Sequence, residues 1–172
     1  MVVIKEGNVF DSSADIICHQ VNCQGVMGSG VAKEVRERYP NVYEEYRKLC
    51  ETHNSYTAGL LGTAQIVPVD DAHSRYIVNC FGQDKYGYDG AQYTSIGALM
   101  EAFAFIAENA RRNGLKVAMP YKIGCCRGGA DWDTVKKIID VNVYKYIILD
   151  IDFDYSDFTK DILKLCNKTV IT

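Results

Sequence analysis

Two hydrophobic rhythms alternate along this chain: short runs of branched apolar residues, and longer stretches with apolar positions three and four apart. They predict strands and helices in turn. Val2-Val3-Ile4 and Ile16-Ile17-Cys18 predict strands. Gly30 to Tyr39 predicts a helix, with Val31 and Val35 on one face and Pro40 beyond its end. Asn41 to Cys50 predicts a second, because Val42, Tyr43, Tyr46 and Leu49 recur at helical spacing. Two β-rich segments follow, Thr63 to Val69 and Arg75 to Cys80, and the short polar stretch between them predicts a hairpin. Thr94 to Arg112 is the longest helical pattern, with Ile96, Leu99, Met100, Phe103, Ile106 and Ala110 as its apolar face. Asn113-Gly114 closes it. Lys116 to Pro120 predicts a strand, Asp131 caps a helix running to about Asp140, and Tyr144 to Phe153 predicts a last strand.

Strands and helices in alternation, with one hairpin among them, specify a three-layer α/β/α domain around a mixed β-sheet. The 172 residues are expected to form one domain, with a core over about 2–153 and a C-terminal extension over 154–172. A net charge of −3 offers no general attraction to nucleic acid or to an anionic membrane, so local groups must hold any bound anion. No apolar run approaches the roughly 20 residues that span a bilayer, and the first residues lack the form of a signal peptide. Seven cysteines without a CxxC pair fit reduced thiols, so the chain is expected in the cytoplasm with no membrane partner.

Chemistry concentrates between His19 and Ala32. A predicted strand there runs through Gly25, Gly28 and Gly30 into a predicted helix. Glycines let the backbone bring N–H groups close to a ligand, and a helix N-terminus adds free donors suited to phosphate. The loop is not G-x-G-x-x-G, because Lys33 stands where the third glycine belongs. It is not a Walker A loop either, because Val31-Ala32 follows Gly30. A second loop, Pro120 to Gly129, again lies between a predicted strand and a predicted helix. Two such loops at strand ends can hold a diphosphate from opposite sides. Asp150-x-Asp152-x-Asp154 fails as a calcium loop, with Tyr155 at its glycine position and Asp161 at its glutamate position. No His, Cys or HExxH spacing suggests a metal, and no cofactor is expected.

With both loops in view, the chain resembles the macro domain family, whose members bind ADP-ribose. Gly7-Asn8-Val9 stands where that family has Gly-Asp-Ile or Gly-Asp-Leu. The stretch from Asn22 to Gly30 matches its distal-ribose and phosphate loop, and Ile123-Gly124-Cys125 matches its second phosphate loop. Asp131-Trp132 matches the start of the helix that follows. The resemblance runs from about Val2 to Leu149, with the motifs in the family's order. It is strongest to the branch of ADP-ribose-1″-phosphate phosphatases and DNA-ADP-ribosyl hydrolases. The features are His19 three residues before Asn22, Asn22-Cys23-x-Gly25, Arg38-Tyr39-Pro40, and Leu60-Leu61-Gly62. Two departures stand out. Ala32 replaces the aspartate of one hydrolase branch, and Gly128 or its neighbour replaces that of another.

The resemblance implies a set of roles. Asn8 accepts a hydrogen bond from the adenine amino group, the Val9 N–H meets a ring nitrogen, and Phe153 stacks on the base. Gly25, Val26, Met27, Gly28, Ser29, Gly30 and Val31 cradle the distal ribose and phosphates. Ile123, Gly124, Cys125, Cys126, Arg127 and Gly128 do so from the other side, the two cysteines as inert small residues. Asn22 carries donors and an acceptor and is expected to fix a ribose hydroxyl or an attacking water. His19 is expected as acid or base, and Lys85 falls near the lysine that one hydrolase branch uses as a nucleophile. The expected function is ADP-ribose binding with hydrolysis of ADP-ribose 1″-phosphate or of mono-ADP-ribosylated protein or nucleic acid. The alternative is a reader module that binds ADP-ribose and catalyses nothing.

Overall fold

The computed structural model describes residues 3–53, 56–70 and 72–147. Ile16-Ile17-Cys18 is apolar on both faces, and this strand, β1 (Ile16–Asn22), is buried along almost its whole length. A strand apolar on both faces needs neighbours and cover on both sides. It obtains them from β2 (Ala64–Pro68), β3 (Tyr76–Gln83) and β4 (Val117–Ala118), in a four-stranded sheet of order β2-β3-β1-β4. β1 runs parallel to β3 and β4, and β2 pairs antiparallel with β3 as the predicted hairpin.

Period-two alternation sorts the strand residues onto two layers. Ile17, Val21, Ile77 and Phe81 pack under α1 (Gly30–Arg38) and α2 (Pro40–Thr52). Ile16, Cys18, Val78 and Cys80 pack under α3 (Ile96–Asn113) and α4 (Trp132–Ile147). Phe81, Leu99 and Ile138 are at most 2% exposed, and a side chain buried that fully contributes about 1.5–3 kcal/mol. Pro40 separates α1 from α2 as the first residue of the second helix, where its missing N–H costs nothing. The Ser95 hydroxyl caps α3, and Gly114 ends it in the left-handed conformation at φ 65°. No helix among the described residues is long and apolar enough to cross a membrane.

Three predicted strands differ in the structure. Val3 and Ile4 lie outside any strand, 64% and 60% exposed, although their composition is strand-like; Val2 lies outside the described residues. Lys116 to Pro120 shrinks to Val117–Ala118, because the chain turns at Pro120 into the second glycine loop. Tyr144 to Ile147 continues α4 instead of starting a strand. The apolar spacing Val135, Ile138, Ile139 and the Lys136–Asp140 pair at 2.7 Å carry the helix past Asp140. The remainder of that predicted strand, 148–153, lies outside the described residues, as does the predicted extension 154–172.

Candidate functional site

The carboxyl ends of β1, β3 and β4 point the same way, and the chain leaves each of them in a loop. Between these loops lies an open cleft of about 240 Å³, at the position where parallel strands of an α/β sheet commonly bind ligands.

Asn22 organises the first loop. Its Oδ1 accepts from the N–H groups of Gln24 (2.9 Å) and Val26 (3.3 Å), and its Nδ2 donates to Val26 O at 2.6 Å. The fully buried Tyr46 shares its hydroxyl proton between Asn22 O (2.7 Å) and Asn22 Oδ1 (3.0 Å). Burial, chiefly, holds that phenol protonated far above its ordinary range. The Asn22 amide is therefore spent mainly on its own loop, leaving one Nδ2 proton for the cleft it lines. Met27 is wholly buried in the core beneath α1 and α2 and anchors the loop there. The first-turn N–H groups of a helix have no intrahelical partner, and the Ser29 side chain makes no cap bond here. Gly30, Val31 and Ala32 line the cleft with that turn. Tyr46→Phe is expected to leave Asn22 O without its donor and to cost about 1–3 kcal/mol, read as a lower urea midpoint.

The second loop rests on an amide. Gln20 Nε2 donates to Gln83 Oε1 (2.6 Å) and Thr94 Oγ1 (2.8 Å), and the Thr94 hydroxyl donates to Gly124 O at 2.8 Å. Gly128 O accepts from the N–H groups of Tyr93 and Thr94, both at 2.9 Å. Gly124 stands at φ 77° with its missing Cβ aimed 2.7 Å from Gln20 Oε1. The loop thus lies flat on Gln20 and Thr94, which is why glycines occupy its contact points.

His19 lies on the cleft floor, 1% exposed. Its Nε2 sits 2.7 Å from Asn79 Oδ1, and its Nδ1 is buried without a hydrogen-bond partner. Burial pushes its pKa down to about 4, against a smaller upward pull from Asn79. At neutral pH the ring is uncharged and offers no acidic proton of an imidazolium. Among the described residues, the ionised groups lining the cleft are Lys122 and Arg127, with no aspartate or glutamate. Arg127 lies over the Tyr88 ring at 4.7 Å, and Lys122 stands 5.6 Å from the Tyr121 ring. A pair of cations without a carboxylate among the described lining residues, in an acidic chain, marks the cleft for an anion.

Of the residues expected at the site, the cleft brings together His19, Asn22, Val26, Ile123 and Gly124, with Gly28 to Val31 and Cys126 to Gly128. Others lie apart from its lining. Gly25 faces Arg47 and Cys50, Lys85 is exposed, and Asn8 uses its Oδ1 to cap a 3-10 turn by accepting from Phe10 N at 3.0 Å. Val9, in that turn, and Cys125 do not line the cleft either. Phe153 lies outside the described residues. Burial pushes the Cys125 thiol up to about 11 and the Cys23 thiol up to about 12, so neither is a thiolate at neutral pH. The sequence reading missed Gln20, Gln83 and the aromatic rim of Tyr86, Tyr88 and Tyr121. The available signal was a glutamine near the end of each of two apolar strands, which has to be explained by a partner.

Glycine loops at parallel strand ends, closing on a cationic cleft, define an α/β anion-binding domain. The chain belongs to the Macro domain family, whose model matches residues 18–139. It is 28% identical over 138 residues to a DNA ADP-ribosyl glycohydrolase of Mycobacterium tuberculosis, covering 80% of this chain and 37% of that protein. It is 28% identical over 93 residues to an ADP-ribose 1″-phosphate phosphatase of Meyerozyma guilliermondii, covering 48% of this chain and 53% of that protein. Among solved structures, the macrodomain of Mycobacterium tuberculosis DarG superposes with a TM-score of 0.71 at 21% identity, over 84% of this chain and 91% of that one. The chain thus spans between about a third and about half the length of these curated relatives.

Proposed function

We propose that the cleft binds ADP-ribose and that the protein hydrolyses the bond at C1″ of ADP-ribose 1″-phosphate or of a mono-ADP-ribosylated acceptor. The observation that carries this reading is the pair of glycine loops facing a cleft with Lys122 and Arg127 and, among the described residues, no carboxylate. The loops' N–H groups and the two cations take the diphosphate. One Asn22 Nδ2 proton remains to hold a ribose hydroxyl or a water near C1″. With His19 neutral and held near pKa 4, the stronger base is the substrate's own 1″-phosphate, whose second pKa is near 6. Water attacks C1″, its proton passes to that phosphate, and the C1″–O bond breaks with inorganic phosphate as the leaving group.

For a macromolecular acceptor, nucleic acid fits better than protein, because Tyr86, Tyr88 and Tyr121 are exposed at the mouth beside Arg127 and Lys122 and bases stack on such rims. The six described cysteines are unpaired, which supports a cytoplasmic location. The reader alternative draws on the lack of a carboxylate among the described residues of the cleft lining.

Titration calorimetry is expected to give a Kd near micromolar for ADP-ribose, about −8 kcal/mol. Arg127→Ala should weaken it about tenfold, about 1.4 kcal/mol. Phosphate release from ADP-ribose 1″-phosphate separates enzyme from reader. Binding without turnover on phosphorylated, protein-linked or DNA-linked substrate sinks the hydrolase, and no binding sinks both.

A further inference from the structure

A row of three buried or half-buried polar side chains crosses the sheet beneath the cleft. Register places Gln65 of β2 beside Asn79 of β3, and Asn79 beside His19 of β1. All three belong to the face covered by α1 and α2, since Ile17, Val21, Ile77, Phe81 and Val67 share their parity. Polar groups at such positions must be matched donor to acceptor. Asn79 is fully buried, and its Nδ2 donates to Gln65 Oε1 at 2.9 Å. That fixes the other end of the amide as Oδ1, which faces His19 Nε2 at 2.7 Å. A carbonyl oxygen only accepts, so Nε2 carries the ring proton. Nδ1 is then a bare lone pair, buried and without a partner, on a residue that lines the cleft. An unmatched buried acceptor is costly and calls for a donor.

We propose that Asn79 and Gln65 are positioning residues that hold His19 in the Nε2–H tautomer, so that Nδ1 accepts a hydrogen bond from a hydroxyl or water of the ligand in the cleft. The ligand's identity rests on the ADP-ribose reading; the tautomer does not. Turning the Asn79 amide over would set its oxygen against Gln65 Oε1, two acceptors facing each other, and its donor against the His19 Nε2 proton. Each member therefore fixes the next. Gln65 sits on the edge strand and is only half-buried, so changes there test the row without opening the core.

The test reads the tautomer directly, by nitrogen-15 NMR of the imidazoles in the full chain at pH 7, with His19→Gln assigning the His19 signals among the three histidines. The wild type is expected to show a protonated Nε2 and a bare Nδ1. A protonated Nδ1 or an imidazolium overturns the proposal. Gln65→Leu is expected to raise the Nδ1–H population severalfold, whereas Gln65→Glu, which keeps the acceptor, retains the wild-type pattern. A loss of stability alone would leave the tautomer ratio unmoved in both, and an unmoved ratio in Gln65→Leu overturns the positioning role. Asn79→Leu, where it folds, should lower kcat for ADP-ribose 1″-phosphate at least about tenfold with KM within about twofold. Adding ADP-ribose should shift the Nδ1 resonance upfield. Binding that leaves Nδ1 unmoved overturns the acceptor role, whereas failure to bind at all overturns the ADP-ribose reading and leaves the tautomer result standing.

Discussion

Gly128→Ala is expected to destabilise the fold by about 3 kcal/mol, the upper end of the usual overpacking cost, and to weaken ADP-ribose binding about a hundredfold. A methyl group there would fall inside the Thr94 hydroxyl and the Gly124 carbonyl, and 2.8 Å from Gln20 Nε2. Two of these obstacles hold the loop itself: Gly124 O accepts from Thr94, and Gln20 donates to Thr94. None can yield without moving the second loop away from the cleft, so stability and affinity fall together. Gly97→Ala is the control, because its Cβ meets open space at the start of α3, and it should be neutral or slightly stabilising. Urea midpoints and calorimetry on both variants check the result; a Gly128→Ala protein with wild-type midpoint and affinity refutes it. The same geometry bears on mechanism. An aspartate cannot be restored at Gly128 without rebuilding the loop, so the carboxylate chemistry implied for one branch of the family is closed to this position.

The second large effect is pH dependence of stability through His19. An exposed imidazole titrates near 6.5, whereas burial holds the native one down at about 4. Between these values the unfolded chain binds a proton that the native state refuses. The stabilisation is complete above pH 6.5 and is lost as pH falls toward 4, by about 3 kcal/mol at 1.36 kcal/mol per unit. His19→Gln removes this titration. Urea unfolding at pH 7 and pH 4 should therefore show the wild type losing about 3 kcal/mol more than the variant, while the carboxylates titrate alike in both. Equal losses would place the native His19 pKa near its exposed value.

Much of the scaffold could be read from residue order. Periodicity and punctuation located β1, the hairpin and three helices within a few residues, because Pro40, Ser95, Gly114 and the glycine loops impose local backbone conformations that no distant contact has to supply. The misreadings occurred where a segment's state depends on a partner. Val3-Ile4 has strand composition but does not join the sheet, and Tyr144 to Ile147 has strand composition on a helix already nucleated at Asp131. The Met27 side chain, in a loop expected at the ligand, is buried in the core, because only packing determines which way a loop side chain turns.

By itself the sequence determined the layered α/β class, two glycine loops at strand ends, and the absence of an aspartate at Ala32, since each depends on residue type and spacing alone. Tertiary structure decided what the polar residues do. Gln20, Asn79 and Gln65 are unremarkable until register sets them beside Thr94, His19 and one another across strands far apart in sequence. His19 itself reads as a histidine poised near neutral pH. Burial, against a smaller upward pull from Asn79, makes it a neutral imidazole instead, because the cost of desolvating a charge belongs to the folded surroundings and not to the residue.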